Sequence, residues 1–259
     1  MSAPSHPAPT RSTDRARNGA AGPRRSEGSP SPRRIPTIEA SHLNHRARQR
    51  IARRFGTINQ RLYIGFKLAA DPVYAAAARV RGNSALPLFD LGCGIGLLAH
   101  YLHGCGLLDR YIGTDHDSRK IEVGNAALVR GGIDRRVQLH HGDAADAYDT
   151  QGDVAMLDVL HYLPRERQPD LLSSAASLVA PGGVLILRNV VREPNWRFRF
   201  TVWEEHILRA SGWIPGGAQH YPSAEEIRAP LREAGLSVSM QPLRGRTPFN
   251  SYLMVGRRA

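Results

Sequence analysis

Residues 87–98 read Pro-Leu-Phe-Asp-Leu-Gly-Cys-Gly-Ile-Gly-Leu-Leu, and this stretch decides the fold. Pro87 to Leu91 form a short apolar run interrupted only by Asp90, the pattern of a buried strand. Gly92, Gly94 and Gly96 follow at alternate positions, and Leu97, Leu98, Tyr101 and Leu102 then recur with helical spacing. Such a strand–turn–helix lets backbone approach a ligand closely, because glycine lacks a Cβ and reaches positive φ at little cost. The helix start adds free N–H groups and a positive dipole end. A nucleotide-like cofactor suits this turn, although Gly-x-Gly-x-Gly by itself also fits a plain tight bend.

Downstream, strand and helix alternate. Residues 110–115, 137–140, 154–159 and 184–190 read as strands. Residues 118–130 and 165–179 read as helices, stopped by Gly131-Gly132 and by Pro181-Gly182-Gly183. Alternation of this kind implies parallel strands with helices on both faces. Residues 194–212, carrying Trp196, Phe198, Phe200 and Trp203, read as an aromatic-rich cap helix. Ser223-Ala-Glu-Glu226 is a capping box opening a helix that ends near Gly235. Residues 236–243 and 249–255 read as a hairpin that closes the sheet.

Upstream, residues 1–36 are rich in Pro, Ser, Arg, Gly and Ala and hold almost no large apolar side chains before Ile35. A segment so composed cannot offset its ordering entropy, and it reads as a disordered basic tail. Leu43, Ala47, Ile51, Phe55, Ile58 and Leu62 then recur every three or four residues, with Arg46, Arg48, Arg50, Arg53 and Arg54 on the other faces. That predicts one basic amphipathic helix interrupted near Gly56. Residues 37–84 are expected to form a helical lid over the cofactor pocket, including a helix capped by Asp71, starting at Pro72 and closing at Gly82. A membrane-surface helix and a nucleic-acid patch are the alternatives, so weak peripheral membrane contact through residues 43–67 stays among the expectations. Residues 85–259 form the main domain on this reading.

The charge distribution narrows the partners. The 259 residues hold 35 Lys and Arg against 23 Asp and Glu, a net charge of +12. Residues 1–67 hold 14 of the basic residues and 3 of the acids, so the rest of the chain is close to neutral. A near-neutral core offers no evident phosphate-binding groove, which makes nucleic acid an unfavoured partner. Cys93 and Cys105 are the only cysteines and lack metal-ligand spacing, so no metal is expected and a reducing cytoplasm fits. No apolar run approaches the roughly 18 residues needed to span a bilayer, and no secretory signal is read at the front. Oligomeric state is not legible.

In open α/β sheets, ligands bind at the carboxyl ends of strands near the switch in strand order. Asp90, Asp115 and Asp143 fall at three successive strand ends. Asp115 stands 23 residues after Gly92, where a carboxylate can hold both hydroxyls of a ribose, and Asp143 stands where one can accept from an exocyclic amine.

Asp90-Leu-Gly-Cys-Gly-Ile-Gly96, Gly113-Thr-Asp115, Gly142-Asp143, Asp158-Val-Leu-His-Tyr162 and Pro181-Gly-Gly183 together resemble the class I S-adenosylmethionine-dependent methyltransferases. The resemblance covers about residues 86–190, in order and at natural spacing. It implies a Rossmann-like, doubly wound α/β fold whose seven-stranded sheet is mostly parallel with an antiparallel C-terminal strand. It implies S-adenosylmethionine as cofactor, with Gly92, Cys93, Gly94 and Gly96 beside its methionine and ribose portions and Asp90 near its amino-acid end. Asp115 and His116 would serve the ribose, Asp143 the adenine amine, and Asp158 the orientation of the cofactor. His161, just after the fourth strand, is the candidate general base, and Tyr162, Arg188, Asn189 and Trp196 are candidate substrate contacts. Asp71-Pro-Val-Tyr74, Asn195-Trp-Arg-Phe-Arg199 and Thr247-Pro-Phe-Asn250 are similar to a narrower bacterial set accompanying aryl-polyene or polyketide-like biosynthesis. That set implies a small-molecule acceptor, phenolic, acyl or polyketide-like, free or carrier-bound.

Three rivals share parts of this pattern. A nicotinamide-dependent oxidoreductase shares the glycine turn and the second-strand Asp, and Tyr63-Ile-Gly-Phe-Lys67 imitates its Tyr-x-x-x-Lys dyad. The dyad here precedes the nucleotide turn instead of following it. A nucleic-acid methyltransferase would carry Asn-Pro-Pro-Tyr, Asp-Pro-Pro-Tyr or a Pro-Cys nucleophile, none of which occurs. A non-catalytic binding protein on the same fold is the third.

Overall fold

The computed structural model describes residues 43–144, 150–210, 217–243 and 249–259. The tail assigned to residues 1–36, the end of the cap helix at 211–212 and Thr247-Pro248 lie outside the described residues. Strands β1 (Leu88–Leu91), β2 (Tyr111–Asp115), β3 (Val137–His141), β4 (Asp153–Leu157), β5 (Val184–Val190), β6 (Ser237–Pro242) and β7 (Ser251–Arg257) form one sheet in the order β3-β2-β1-β4-β5-β7-β6. The first five run parallel. β7 is antiparallel to both its neighbours, inserted between β5 and β6. Strand order therefore reverses between β1 and β4, and the carboxyl ends there form the crevice where such sheets bind ligands.

Helices cover both faces, as the alternation of elements requires. On one face, Val184 and Ile186 of β5 belong to the same buried cluster as Leu98 and Tyr101 of α4 (Leu97–Gly104) and Leu128 of α5 (Ser118–Gly131), with α5 against β2 and β3. Leu185 and Leu187 point the other way, into Leu172 and Ala175 of α6 (Gln168–Ser177) and Ile227 and Leu231 of α8 (Ala224–Glu233). The first face also carries α1 (His45–Ala52), α2 (Ile58–Ala70) and α3 (Val73–Arg81) through Ile51, Phe55, Leu68 and Tyr74. α7 (Trp196–Ala210) follows β5.

Two glycines are fixed by close approach. A Cβ on Gly92, whose φ is +78°, would sit 2.2 Å from Val159 Cγ2. On Gly113 it would sit 2.7 Å from both Cβ and Sγ of Cys93, so the first turn can lie directly on β2.

The predicted amphipathic stripe needs correction. A break at Arg53–Thr57 separates α1 from α2 and resets the helical phase, with Thr57 and Gln60 forming a new capping box. Ile51 and Phe55 are buried as expected, whereas Ile58 and Leu62 face solvent and Ile64 and Leu68 replace them in the core. The fourth strand also ends earlier than predicted: β4 stops at Leu157, and Asp158 turns out of the sheet with φ +60°. Helix 165–179 resolves into a 3-10 turn at Arg165–Arg167 followed by α6. The last strand is shifted to 251–257.

Candidate functional site

Parallel register brings the three acids to neighbouring strand tips. Asp90 lies opposite Gly113 of β2, and Asp115 lies opposite His141 of β3, two residues before Asp143. Gly142 N donates to the Asp115 carbonyl at 3.1 Å, which ties the third tip to the second. The Asp115 carboxylate is buried and accepts from Gly94 N at 2.8 Å and from Asp117 N at 2.9 Å. It thereby shapes the glycine turn and the next loop together. His116 is largely exposed beside it, with Nδ1 3.6 Å from Asp115 Oδ1. Asp143 is surface-exposed, and Arg167 donates to it at 3.3 Å.

Asp90 is the most perturbed of the three. Its carboxyl is buried, and the Tyr111 hydroxyl donates to Oδ2. Burial pushes its pKa up to about 7, opposed by that hydrogen bond and assisted by the charge of Asp115. Oδ1 is buried without a hydrogen-bond partner. An unpartnered buried acceptor beside a three-glycine turn is a position suited to an ammonium. The residues present therefore fit a cofactor with an amino-acid end and a ribose. Cys93 lies in the same turn, where burial raises its thiol pKa well above the ordinary range, so it lines the turn as a neutral thiol.

A second group lies at the ends of β4 and β5. Arg188 makes paired hydrogen bonds to Asp71, Nη1 to Oδ1 at 3.0 Å and Nη2 to Oδ2 at 3.1 Å, and also donates to Asp158 Oδ2. Burial disfavours its charge, but Asp158 and Asp71 outweigh that and hold the guanidinium pKa above its usual value. Arg188 thus joins the α2–α3 junction to the strand ends; its Nη donors serve two carboxylates of the protein itself, while Nε is buried without a hydrogen-bond partner. Asp158 is held by the same contact and by its own N–H to the Arg188 carbonyl at 2.9 Å.

His161 sits buried in the 3-10 turn Leu160–Tyr162 that follows β4. Its Nδ1 is 2.9 Å from Asn189 Oδ1, while Asn189 Nδ2 donates to the Val190 carbonyl at 2.8 Å. The second bond orients the amide so that its oxygen faces the ring. Nδ1 must then carry the proton, and in the neutral imidazole Nε2 is left with its lone pair. Aromatic rings surround it: Tyr162 lies 4.2 Å away and Tyr221 stacks at 5.7 Å with Phe198 edge-on beyond. Trp196, at the start of α7, is 63% exposed, with the Arg197 guanidinium 4.7 Å over its ring.

Sequence reasoning missed Tyr111 as the partner of Asp90, Asp71 as a partner of Arg188, and Tyr221 beside His161. Asp71 and Arg188 are 117 positions apart, and no local pattern links them. Among the described residues, no group of three or more His, Cys, Asp and Glu side chains is placed to hold a metal.

Comparison with known proteins identifies the family and the fold. The methyltransferase-domain family model matches residues 40–240. A ubiquinone biosynthesis O-methyltransferase of Brucella anthropi is 27% identical over 194 residues, covering 69% of this chain and 75% of the relative. The solved structure of magnesium protoporphyrin IX methyltransferase from Synechocystis PCC 6803, with bound SAH, superposes at a TM-score of 0.57 and 22% identity, covering 86% of this chain and 99% of that one. The S-adenosylmethionine-dependent methyltransferase SibL superposes at 0.60 and 21% identity over 78% of this chain, which spans 59% of SibL.

Proposed function

Because this chain belongs to the methyltransferase-domain family, as a class I S-adenosylmethionine-dependent enzyme, we propose that it methylates a hydroxyl oxygen of a small phenolic acceptor. One observation carries the choice of acceptor. The buried His161–Asn189 pair leaves an unprotonated ring nitrogen among aromatic side chains, beside the strand ends that bind ligand. A planar phenol fits that company, and its proton needs such a base. The relative from Brucella anthropi, named for O-methylation in ubiquinone biosynthesis, supports the same chemistry. The two free cysteines agree with a cytoplasmic setting.

On this reading Asp115 accepts from the ribose hydroxyls, Asp143 from the adenine amine, and Asp90 Oδ1 from the ammonium of the methionine portion. When bound, the cofactor supplies a methyl group on a sulfonium, already a good leaving group. His161 Nε2 takes the proton from the acceptor hydroxyl, while Asn189 fixes the tautomer that makes this possible. Tyr162, Tyr221 and Phe198 hold the ring flat and keep water from the oxygen. The α1–α3 layer, tied down through Asp71 and Arg188, serves as the lid. Alignment of the reactants contributes about 7–11 kcal/mol in favourable cases.

The direct test is incubation with S-adenosylmethionine and panels of catechols, simple phenols, fatty acids and aliphatic amines, with products read by mass spectrometry. A methyl ether formed from the phenols is expected. Products confined to carboxylates or amines, or methylation only when the acceptor is attached to a carrier protein, would overturn the free phenol as substrate.

Cofactor binding should also depend on pH in a defined direction. Asp90 is protonated in the folded protein below about pH 7, and an ammonium ligand requires the carboxylate. Affinity for S-adenosylhomocysteine should therefore rise as pH climbs from 5.5 to 7, by up to about tenfold per unit, with proton release seen by calorimetry in buffers of different ionisation enthalpy. Stability runs the opposite way in the free protein. A folded pKa above the unfolded one gives stability that is complete below about pH 4 and lost as pH rises through 7. Asp90→Asn should accordingly raise the melting temperature at pH 8 and leave it nearly unchanged at pH 4. A flat affinity profile in wild type would remove Asp90 from the ammonium site.

A further inference from the structure

From α2 and its surroundings we infer an interfacial surface that docks this protein on an anionic lipid bilayer. The helix buries Ile64 and Leu68 against the core and turns Ile58, Leu62 and Phe66 outward, at 73, 68 and 71% exposure, with Tyr63 beside them at 53%. Positions 58, 62 and 66 follow at intervals of four, so they form one continuous stripe along the helix. Single exposed apolar residues are ordinary on a protein surface, but a large aliphatic and aromatic stripe on one short helix is not.

Charge selects the occupant. Between Glu39 and Asp71 the chain carries no acidic residue, and it carries Arg46, Arg48, Arg50, Arg53, Arg54, Arg61 and Lys67. Of these, Arg54 bonds His100 at 2.9 Å, Arg61 donates to the carbonyls of Phe55 and Gly56, and Lys67 pairs with Asp71 at 3.7 Å. Arg46, Arg50 and Arg53 are exposed on the side of α1 opposite buried Ala47 and Ile51, and α1 packs against α2. An apolar stripe with a basic flank and no acids matches the chemistry of helices that lie in the plane of a membrane interface. Anionic headgroups meet the arginines while the apolar side chains enter the acyl boundary. A second copy of the chain would bring two like-charged faces together, and nucleic acid would leave the stripe unpaired. No helix among the described residues is long and apolar enough to cross a membrane, so the contact is peripheral.

The surface is independent of the proposed acceptor and is tested separately from methyl transfer. The full chain is mixed with vesicles of equal parts phosphatidylglycerol and phosphatidylcholine, or of phosphatidylcholine alone, and the bound fraction is read by flotation. Wild type should partition at least tenfold more strongly onto the mixed vesicles, and added salt should weaken it. Leu62→Glu with Phe66→Glu should lower that partition at least tenfold, with an unchanged circular-dichroism spectrum and an equally cooperative thermal melt as the check of folding. Arg46→Glu with Arg50→Glu and Arg53→Glu should remove the preference for phosphatidylglycerol. No flotation of wild type, equal flotation of wild type and the Leu62/Phe66 variant, or a dimer that this variant converts to monomer would each overturn the proposal.

Discussion

Replacing His161 with Ala should lower kcat for a phenolic acceptor by about 10²–10⁴-fold, the usual contribution of a placed general base, while cofactor affinity stays within about twofold. The expectation rests on the tautomer. Asn189 is buried, its Nδ2 is committed to the Val190 carbonyl, and its Oδ1 accepts a hydrogen bond from Nδ1–H of His161. Only Nε2 is then available to the acceptor, and it is available as a base. A base matters only while the acceptor keeps its proton. The loss in His161→Ala should therefore shrink steadily as phenols of greater acidity are supplied, and vanish for those already ionised at the assay pH. Asn189→Leu should show a smaller loss with the same dependence, because the ring keeps its place among Tyr162 and Tyr221 but not its tautomer. An unchanged rate in His161→Ala would take the histidine out of the mechanism. A loss of equal size for every acceptor would make it a wall of the pocket.

The residues that support these expectations differ in how far the sequence announced them. Asp90, the three glycines, Asp115 and Asp143 were legible because each stands at the end of a strand whose own apolar pattern is local, and parallel pairing of β1, β2 and β3 then brings the ends together. His161 was legible for the same reason, as the first histidine after β4. Its partner was not, since Asn189 reads equally well as a substrate contact until β5 is seen to pair with β4. Arg188 shows the limit more sharply. A lone arginine at a strand end reads as a substrate ligand, and only the tertiary fold shows its Nη atoms paired with Asp71 and Asp158. The amphipathic stripe failed for another reason. The interruption near Gly56 was legible, but the stripe was carried across it in phase, and the new cap at Thr57 rotates everything beyond it. Ile58 and Leu62, which that phase set on the apolar stripe with Ile51 and Phe55, belong instead to the exposed face of α2.

Asp115→Ala should cost at least a hundredfold in affinity for S-adenosylhomocysteine, about 2.7 kcal/mol, measured by calorimetry. Hydrogen bonds to a charged group are each worth roughly 1.5–3 kcal/mol, and two ribose hydroxyls would meet this carboxylate. The same carboxylate also accepts from Gly94 N and Asp117 N, so its removal leaves two N–H groups unmatched and loosens the turn. Those two effects separate in a cycle. An analogue of S-adenosylhomocysteine lacking both ribose hydroxyls should bind wild type weakly, and Asp115→Ala should weaken it only a little further. Strong non-additivity of that kind means the carboxylate and the hydroxyls touch. Full additivity would leave Asp115 as a brace for the glycine turn and nothing more. Asp115→Asn keeps the side-chain shape and one oxygen, so it can still accept from one of the two backbone groups. It should fall between wild type and Ala for both ligands, with the larger loss for the natural one. The ordering follows from the acceptors: each backbone N–H uses a different oxygen of the carboxylate, so the amide costs one of those bonds whichever ligand is bound, and the ribose, offering two donors at once, loses a second acceptor and the charge.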